Sequence, residues 1–104
     1  MVGEIHLANI GFTDATASKT RPVLLLKTNT FNDFIYLPLT TNNLTKGISI
    51  DNSKLKDGFL PKTSIVVYEK PGVIAKQLLL KKIGTLNPLT YKEIINELIT
   101  FLQK

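Results

Sequence analysis

Residues 19–26 read Lys-Thr-Arg-Pro-Val-Leu-Leu-Leu, a stretch in which a polar segment turns into four consecutive apolar residues. A short apolar run bounded by turn-forming residues is typical of a buried strand. Pro22 has no N–H to give to a neighbouring strand, so we place it at the first strand position. The stretch therefore predicts a buried strand that begins at Pro22 and holds Arg21 at its mouth.

Arg21 is the only arginine of the chain, whose other cationic residues are lysines. Its planar guanidinium is permanently charged and matches a phosphate or a carboxylate with two hydrogen bonds. We therefore treat Arg21 as a candidate anion-binding residue. The alternative is an ordinary surface or ion-paired arginine, which contributes little to stability.

The totals of the sequence limit the kinds of function. The chain has 104 residues, no cysteine and a single histidine, His6. This length corresponds to one domain over residues 1–104. Disulfides and thiolate metal sites are excluded, and without clustered carboxylates neither a zinc nor a magnesium site is expected. We predict chemistry that needs no metal and no other cofactor.

The charge balance points to the class of partner. Thirteen Lys and Arg residues stand against eight Asp and Glu, which gives a formal net charge of +5. Such a balance favours an anionic partner, either a nucleic acid or an acidic polypeptide. There is no signal-peptide pattern and no apolar segment long enough to cross a bilayer. We therefore expect a cytoplasmic protein with no membrane partner.

Most of the chain alternates between short apolar stretches and turn formers. Composition and alternation predict strands at residues 2–10, 22–28, 34–41, 47–50 and 63–68. Gly11 to Thr20 shows no periodicity and is interpreted as a loop of a length that often serves function. His6 lies in the first strand, where a packed or half-exposed histidine is the more common role and a catalytic one the alternative.

Three further segments complete the predicted sheet. Residues 34–50 are interpreted as a hairpin around a turn, and Pro38 indicates an edge or a bulge in its first strand. Residues 51–62 carry three lysines around Asp57-Gly58 and are interpreted as a solvated connection. Residues 73–80 allow a resumed strand at 73–75 and one helical turn at 77–80.

The C-terminal segment has helical periodicity. Its apolar positions are Tyr91, Ile94, Ile95, Leu98, Ile99 and Leu102. Two starts compete, either Asn87 as N-cap with Pro88 at the first position, or a capping box formed by Thr90 and Glu93. Several short strands followed by one helix predict a mainly β protein, a small antiparallel barrel or curled sheet closed by a C-terminal helix.

Five blocks of this sequence, taken in order, resemble the MazF/PemK family of bacterial toxins. The blocks are residues 3–8 (GEIHLA), 20–24 (TRPVL), 37–41 (LPLTT), 58–66 (GFLPKTSIV) and 81–86 (KKIGTL). His6 stands where the family usually has an aromatic residue. Because a single block such as Arg-Pro-Val is common, the resemblance depends on the order of all five.

The resemblance implies a fold and a function. The fold is an SH3-like barrel closed by a C-terminal helix, of the CcdB/MazF/PemK type, usually found as a homodimer. The function is that of a toxin of a type II toxin–antitoxin system, a metal-independent and sequence-selective endoribonuclease that cleaves single-stranded mRNA. The usual partner is an acidic antitoxin protein.

The resemblance also implies roles for particular residues. Metal-free RNA cleavage uses the neighbouring 2′-hydroxyl as nucleophile, so the protein must stabilise a crowded, negatively charged phosphorane. Arg21 matches the family arginine, and we assign it to phosphate clamping because a guanidinium hardly ever gives up its proton. Thr40 matches the family's hydroxyl position and would hydrogen-bond a phosphate oxygen, with Thr41 as the neighbour to test beside it.

The general base is where this sequence departs from the family. Some members carry an Arg-x-Asp pair on a late strand and a histidine in the first loop. Here Val67 falls at the arginine position, Glu69 falls at the aspartate position, and residues 11–20 contain no histidine. Glu69 is our candidate base, and a surface carboxylate beside Lys70 is the alternative. Asp14 is an outside candidate for the missing loop group.

The remaining candidates are expected to bind RNA. They are Lys19, Thr20, Thr41, Lys70 and Lys76, of which the lysines would steer the RNA backbone in a salt-dependent way. The aromatic side chains of Phe12, Phe34 and Tyr36 are either base-stacking platforms or members of the core.

Two other functions remain open at this point. The first is a non-catalytic toxin of the same fold that poisons a protein target such as DNA gyrase, as the related CcdB toxins do, through the helix end at Phe101 to Lys104. The second is a degenerate member that binds RNA or antitoxin without cutting RNA, which the departures at Val67 and in the first loop suggest.

Overall fold

The computed structural model describes residues 3–11 and 18–104, and within them the chain forms a sheet and one long helix. The strands are β1 (Glu4–Gly11), β2 (Ser18–Thr28), β3 (Phe34–Thr40), β4 (Ile48–Ile50), β5 (Leu55–Gly58), β6 (Ser64–Val66), β7 (Gly72–Ile74) and β8 (Leu79–Leu86). Short 3-10 helices cover Asn52–Lys54 and Lys76–Leu78, and α1 covers Pro88–Leu102. No helix in these two ranges is long and apolar enough to span a membrane.

All strand pairings of the sheet are antiparallel. The order across the sheet is β4-β6-β3-β2-β1-β8-β5, and β7 also pairs with β3. The sheet is curled into a half-barrel, and α1 packs against one of its faces. The predicted mainly β fold with a curled antiparallel sheet and a C-terminal helix is therefore confirmed.

The apolar run of β2 is buried on both faces of the sheet. Side chains alternate across a strand, so a run without polar residues can serve two cores at once. Leu24 and Leu26 belong to the cluster beneath α1, whereas Val23 and Leu25 belong to a second cluster on the opposite face. This double burial explains why residues 23–26 are continuously apolar instead of alternating.

Two of the aromatic candidates for base stacking lie within or against this second cluster. Phe34 is only 3% exposed and is one of its buried members. Tyr36 packs against the cluster, and its ring lies so close to Gly72 that a Cβ there would stand 2.7 Å from the phenol. Phe12 lies outside the described residues.

The helix begins in one of the two predicted ways. The Asn87 side-chain carbonyl accepts a hydrogen bond from the backbone N–H of Thr90 at 2.8 Å, and Pro88 occupies the first helical position. The amide thereby satisfies one of the backbone donors that an open helix end leaves unpaired. Asn87 is the N-cap, and the alternative start at Thr90 is wrong.

The last turn of α1 packs differently from the predicted stripe. Ile99 is 44% exposed and Leu102 is 65% exposed. Phe101, three residues after Leu98, instead meets Tyr68 edge to face with ring centroids 6.3 Å apart. Residues three apart share a helix face, so the apolar stripe continues through Phe101.

The hairpin predicted over residues 34–50 is wrong. β3 and β4 do not pair with each other, because β6 lies between them and pairs with both. All three residues of β6 are buried. A strand buried on both faces and paired along both edges satisfies its backbone groups, so β6 occupies the middle position.

The connection predicted over residues 51–62 contains an edge strand. β5 pairs with β8, with Leu55 opposite Leu86 and Gly58 opposite Gly84. Gly58 has φ +88°, and a Cβ there would stand 2.2 Å from the carbonyl oxygen of Ile83. This strand was not predicted because exposed polar residues such as Lys56 and Asp57 resemble those of a loop. An edge strand buries few side chains.

Each alternative for residues 73–80 is present in part, but Leu79 and Leu80 belong to a strand, β8, that was not predicted. β7 covers Gly72–Ile74, a single 3-10 turn follows at Lys76–Leu78, and β8 begins at Leu79. The loop predicted from Gly11 to Thr20 is shorter than expected, since β1 reaches Gly11 and β2 begins at Ser18. The rest of that loop, with Asp14, lies outside the described residues.

His6 is a half-buried strand residue that is hydrogen-bonded to a carboxylate. Its Nε2 lies 2.8 Å from Oε1 of Glu4, two residues earlier on the same face of β1. The hydrogen bond with His6 and the nearby ammonium of Lys82 lower the pKa of Glu4 below its ordinary value of 4.5. Within the described residues His6 has a structural partner and lines none of the cavities named below.

Candidate functional site

Arg21 lies on β2, two residues before Val23, where the pairing between β2 and β3 ends. It stands opposite Ala8 of β1, while the ladder between β2 and β3 ends at the pair Val23–Pro38. Pro22 is therefore the fifth residue of β2, not the first as predicted. A residue without an N–H is accommodated there because β2 is paired on one side only at that position.

The departure of β3 opens a cavity beside Arg21. After Pro38, β3 pairs with β6 through Leu39 and Thr40 instead of with β2. The cavity left between the strands has a volume of about 220 Å³. Its polar lining consists of Arg21, Thr40, Thr45 and Lys70, and its apolar lining consists of Pro38, Leu39 and Val67.

Thr40, the last residue of β3, lines this cavity. The Oγ1 atom accepts a hydrogen bond from the backbone N–H of Asn42 at 3.1 Å. A hydroxyl that accepts one bond still has its own proton to donate. Thr40 is thus held by its loop in a state that suits donation to an oxygen atom of a ligand.

The side of the cavity opposite β2 is built by two connections. Thr45 belongs to the connection between β3 and β4, where its backbone N–H donates to the carbonyl of Asn42 at 3.1 Å. Val67 and Lys70 belong to the turn after β6, where the N–H of Lys70 donates to the carbonyl of Val67 at 3.3 Å. Residues far apart in sequence therefore meet at one cavity.

This lining suits a phosphodiester. A guanidinium and an ammonium provide positive charge, and two hydroxyls provide hydrogen bonds without adding charge. Preorganised donors of this kind stabilise developing negative charge more strongly at a partly enclosed site than in water.

Glu69, the candidate general base, is placed on the other side of its turn. Its Oε2 lies 3.2 Å from Nζ of Lys46, and it lines a separate small cleft at the end of α1 together with Glu97 and Lys104. It is not among the residues that line the Arg21 cavity. The structure thus brings Arg21, Thr40 and Lys70 together and leaves the Glu69 carboxylate apart from them.

The other predicted RNA-binding residues lie outside the Arg21 cavity. Thr41 is exposed and lines an apolar groove formed mainly by Leu7, Pro22, Leu60, Pro61 and Ile83. Lys19, Thr20 and Lys76 are exposed. By strand alternation Lys19 shares the face of Arg21, whereas Thr20 faces the opposite side.

Thr45 was not predicted from the sequence. It lies in a run of turn-forming residues that carries no sign of which side chain faces inward. Val67 was noted only as the residue at the family's arginine position. Val67 lines the cavity and adds no charge there, at the position where some members of the family carry an arginine.

The described residues contain no cluster suited to a metal ion. Across residues 3–11 and 18–104, no three or more His, Cys, Asp or Glu side chains come together in an arrangement that would hold one. Metal sites of the zinc and magnesium kinds need such ligands.

Comparison with known proteins identifies the family. Residues 1–102 match the model of the PemK-like, MazF-like toxins of type II toxin–antitoxin systems. The chain belongs to this toxin family. The match spans all five blocks described above, and family membership implies an antitoxin partner and, typically, a dimer.

A solved structure of the family has a similar fold. The toxin MazF-mt6 of Mycobacterium tuberculosis superimposes with a TM-score of 0.65 at 25% sequence identity, over 92% of this chain and 91% of that one. No individually curated protein matches the chain. The curled sheet with its C-terminal helix is thus the architecture of a MazF toxin.

Proposed function

We propose that this toxin is a metal-independent endoribonuclease that cleaves single-stranded mRNA in the cytoplasm at selected sequences. The observation that carries the proposal is the cavity where β3 stops pairing with β2, which Arg21, Thr40 and Lys70 line together. Membership of the MazF-like family supports it, since endoribonuclease activity is typical of the family.

The reaction needs one negatively charged centre to be stabilised. The 2′-hydroxyl gives up its proton, the O2′–P bond forms, the P–O5′ bond breaks, and O5′ takes up a proton. The products are a 2′,3′-cyclic phosphate and a 5′-hydroxyl end. The phosphorane that forms between these events carries more negative charge on its oxygens than the starting diester, so cations and hydroxyl donors lower the barrier.

Each polar side chain of the cavity has a role in this step. Arg21 clamps two phosphate oxygens with its fork of N–H donors. Thr40 donates its hydroxyl proton to a phosphate oxygen, while its loop holds the oxygen atom in place. Lys70 supplies the second positive charge on a wall where Val67 has none.

The direct test is cleavage of RNA in the absence of free metal ions. A long single-stranded RNA is incubated with the purified protein in excess chelator, and the fragment ends are analysed. We expect discrete fragments with 5′-hydroxyl ends. Intact RNA in the presence of a folded protein would contradict the proposal and favour a toxin that poisons a protein target or binds RNA without cutting it.

Replacement of Thr40 tests the hydroxyl. Thr40→Val keeps the shape of the side chain and removes its donor, and we expect cleavage to slow by about a hundredfold, the lower range for loss of one preorganised donor. Thr40→Ser is the matched control and should retain most activity, because the hydroxyl remains. Equal rates for wild type and Thr40→Val would remove Thr40 from the site.

The partners follow from charge and from the family. We propose that the antitoxin is acidic, since this chain carries a formal net charge of +5 and opposite charges speed association. We also propose a homodimer as the active state, in line with the dimers typical of the family.

A further inference from the structure

Two connections that border the Arg21 cavity are joined by an ion pair just outside it. The connection between β3 and β4 places Thr45 in the cavity lining, and the turn after β6 places Lys70 there. The residues next to them, Lys46 and Glu69, meet on the outer side with Nζ and Oε2 3.2 Å apart. Each connection thus has one side chain in the cavity and its neighbour in the ion pair.

Hydrogen bonds from three backbone N–H groups shape the β3–β4 connection, and that of Asn42 joins it to Oγ1 of Thr40 at the end of β3. The N–H of Leu44 donates to the Asn42 side chain at 3.1 Å, and the N–H of Thr45 donates to the Asn42 carbonyl at 3.1 Å. The connection projects from the sheet, with Leu44 90% exposed. The end of the connection lies against β6, since a Cβ on Gly47 would stand 2.3 Å from the Val66 carbonyl oxygen. The Lys46–Glu69 pair adds a side-chain link from the connection to the turn after β6.

The pair lies at a small cleft beside the end of α1. Glu69 is 34% exposed and Lys46 is 74% exposed, so the pair is a surface one on the lysine side. The carboxylate of Glu69 raises the pKa of Lys46, and Glu97 of α1 acts in the same direction. Lys46 therefore stays charged and lies between a turn that borders the cavity and the end of the helix.

We propose that Glu69 is a positioning residue, whose ion pair with Lys46 holds the β3–β4 connection against the turn after β6 so that Thr45 and Lys70 face the cavity together. The role in RNA binding rests on the proposed function, whereas the restraint on the connection does not. Glu69 thereby acts through Thr45 and Lys70 and takes no proton from the substrate.

The test compares both partners of the pair by three measurements, of which one is the single-turnover rate of RNA cleavage in excess chelator. Glu69→Gln and Lys46→Met are made singly, and the exchanged pair is made as K46E with E69K. Hydrogen exchange reports the Thr45 amide in the absence of RNA, and fluorescence anisotropy reports binding of a short labelled single-stranded RNA at low salt. Asp57→Asn, which alters the ion pair of Lys82 with Asp57 at the opposite edge of the sheet, is the matched control.

A positioning role predicts parallel effects. Both single variants should speed exchange of the Thr45 amide and weaken RNA binding by about 1.5- to fivefold, the range expected for loss of one exposed ion pair. The exchanged pair should restore both values, and Asp57→Asn should change neither. Faster exchange without any RNA binding by the wild type would support the restraint and count against the proposed function alone.

Two outcomes would overturn the positioning role. If Glu69→Gln slows cleavage by about a hundredfold or more while Lys46→Met cleaves like the wild type, Glu69 acts as the general base. If exchange of the Thr45 amide is the same in all variants, the ion pair does not restrain the connection.

Discussion

Replacement of Arg21 by alanine is expected to slow RNA cleavage by about a hundredfold to a thousandfold. This corresponds to a loss of about 2.7 to 4 kcal/mol of transition-state stabilisation. Arg21 is held on β2 beside Ala8 and lines the cavity at the point where β3 departs. In the proposed reaction, loss of the guanidinium leaves the developing charge on the phosphorane without the donors that Arg21 supplies.

The measurement is a single-turnover cleavage rate on a single-stranded RNA in excess chelator. Lys27→Ala is the matched control, because it removes an exposed cation from the same strand. Circular dichroism and gel filtration show whether each variant is folded and whether it keeps its oligomeric state. A folded Arg21→Ala protein that cleaves at the wild-type rate would refute the site assignment.

Replacement of Leu24 by alanine is expected to lower the free energy of unfolding by about 2 to 5 kcal/mol. Leu24 is fully buried in the cluster beneath α1, and its cross-strand neighbours Ile5 and Leu37 are also fully buried. Both flanking strands are held in the middle of the sheet, so the surroundings cannot collapse into the space that the side chain leaves. The loss is a large share of the about 5 to 15 kcal/mol that stabilises a typical domain.

Urea denaturation followed by circular dichroism measures this change. Lys27→Ala again serves as the control, since an exposed substitution on the same strand should change the free energy of unfolding by no more than about 0.5 kcal/mol. If Leu24→Ala unfolds at the same urea concentration as the wild type, the double burial of the β2 run is incorrect. The variant should also weaken RNA cleavage only in proportion to the fraction of protein that unfolds.

The parts of the structure that depend on local pattern were predictable. The apolar run at residues 23–26 and the body of the C-terminal helix follow from periodicity that neighbouring residues carry. Arg21 was singled out because a lone arginine before Pro-Val-Leu is unusual in a lysine-rich chain. These features are decided by residues close together in sequence.

The errors have a common physical cause. β5 was missed because most of its side chains are exposed, as is common in an edge strand, and such a segment has the polar composition of a loop. The hairpin over residues 34–50 was wrong because β6, more than a dozen residues further on, competes for the same strand edges and is more deeply buried. Which strands pair depends on competition between segments that are distant in sequence. The pairing therefore cannot be predicted from any short stretch of residues.

The candidate site divides in the same way. The sequence by itself determined that Arg21 ends a polar segment at a buried strand and that Thr40 ends the following one. Only the tertiary structure decided that Thr45 and Lys70 join them, and that Glu69 turns away to Lys46. The side of a turn on which a side chain emerges depends on the packing of the whole turn against the sheet, and that packing is set by contacts among strands that are distant along the chain.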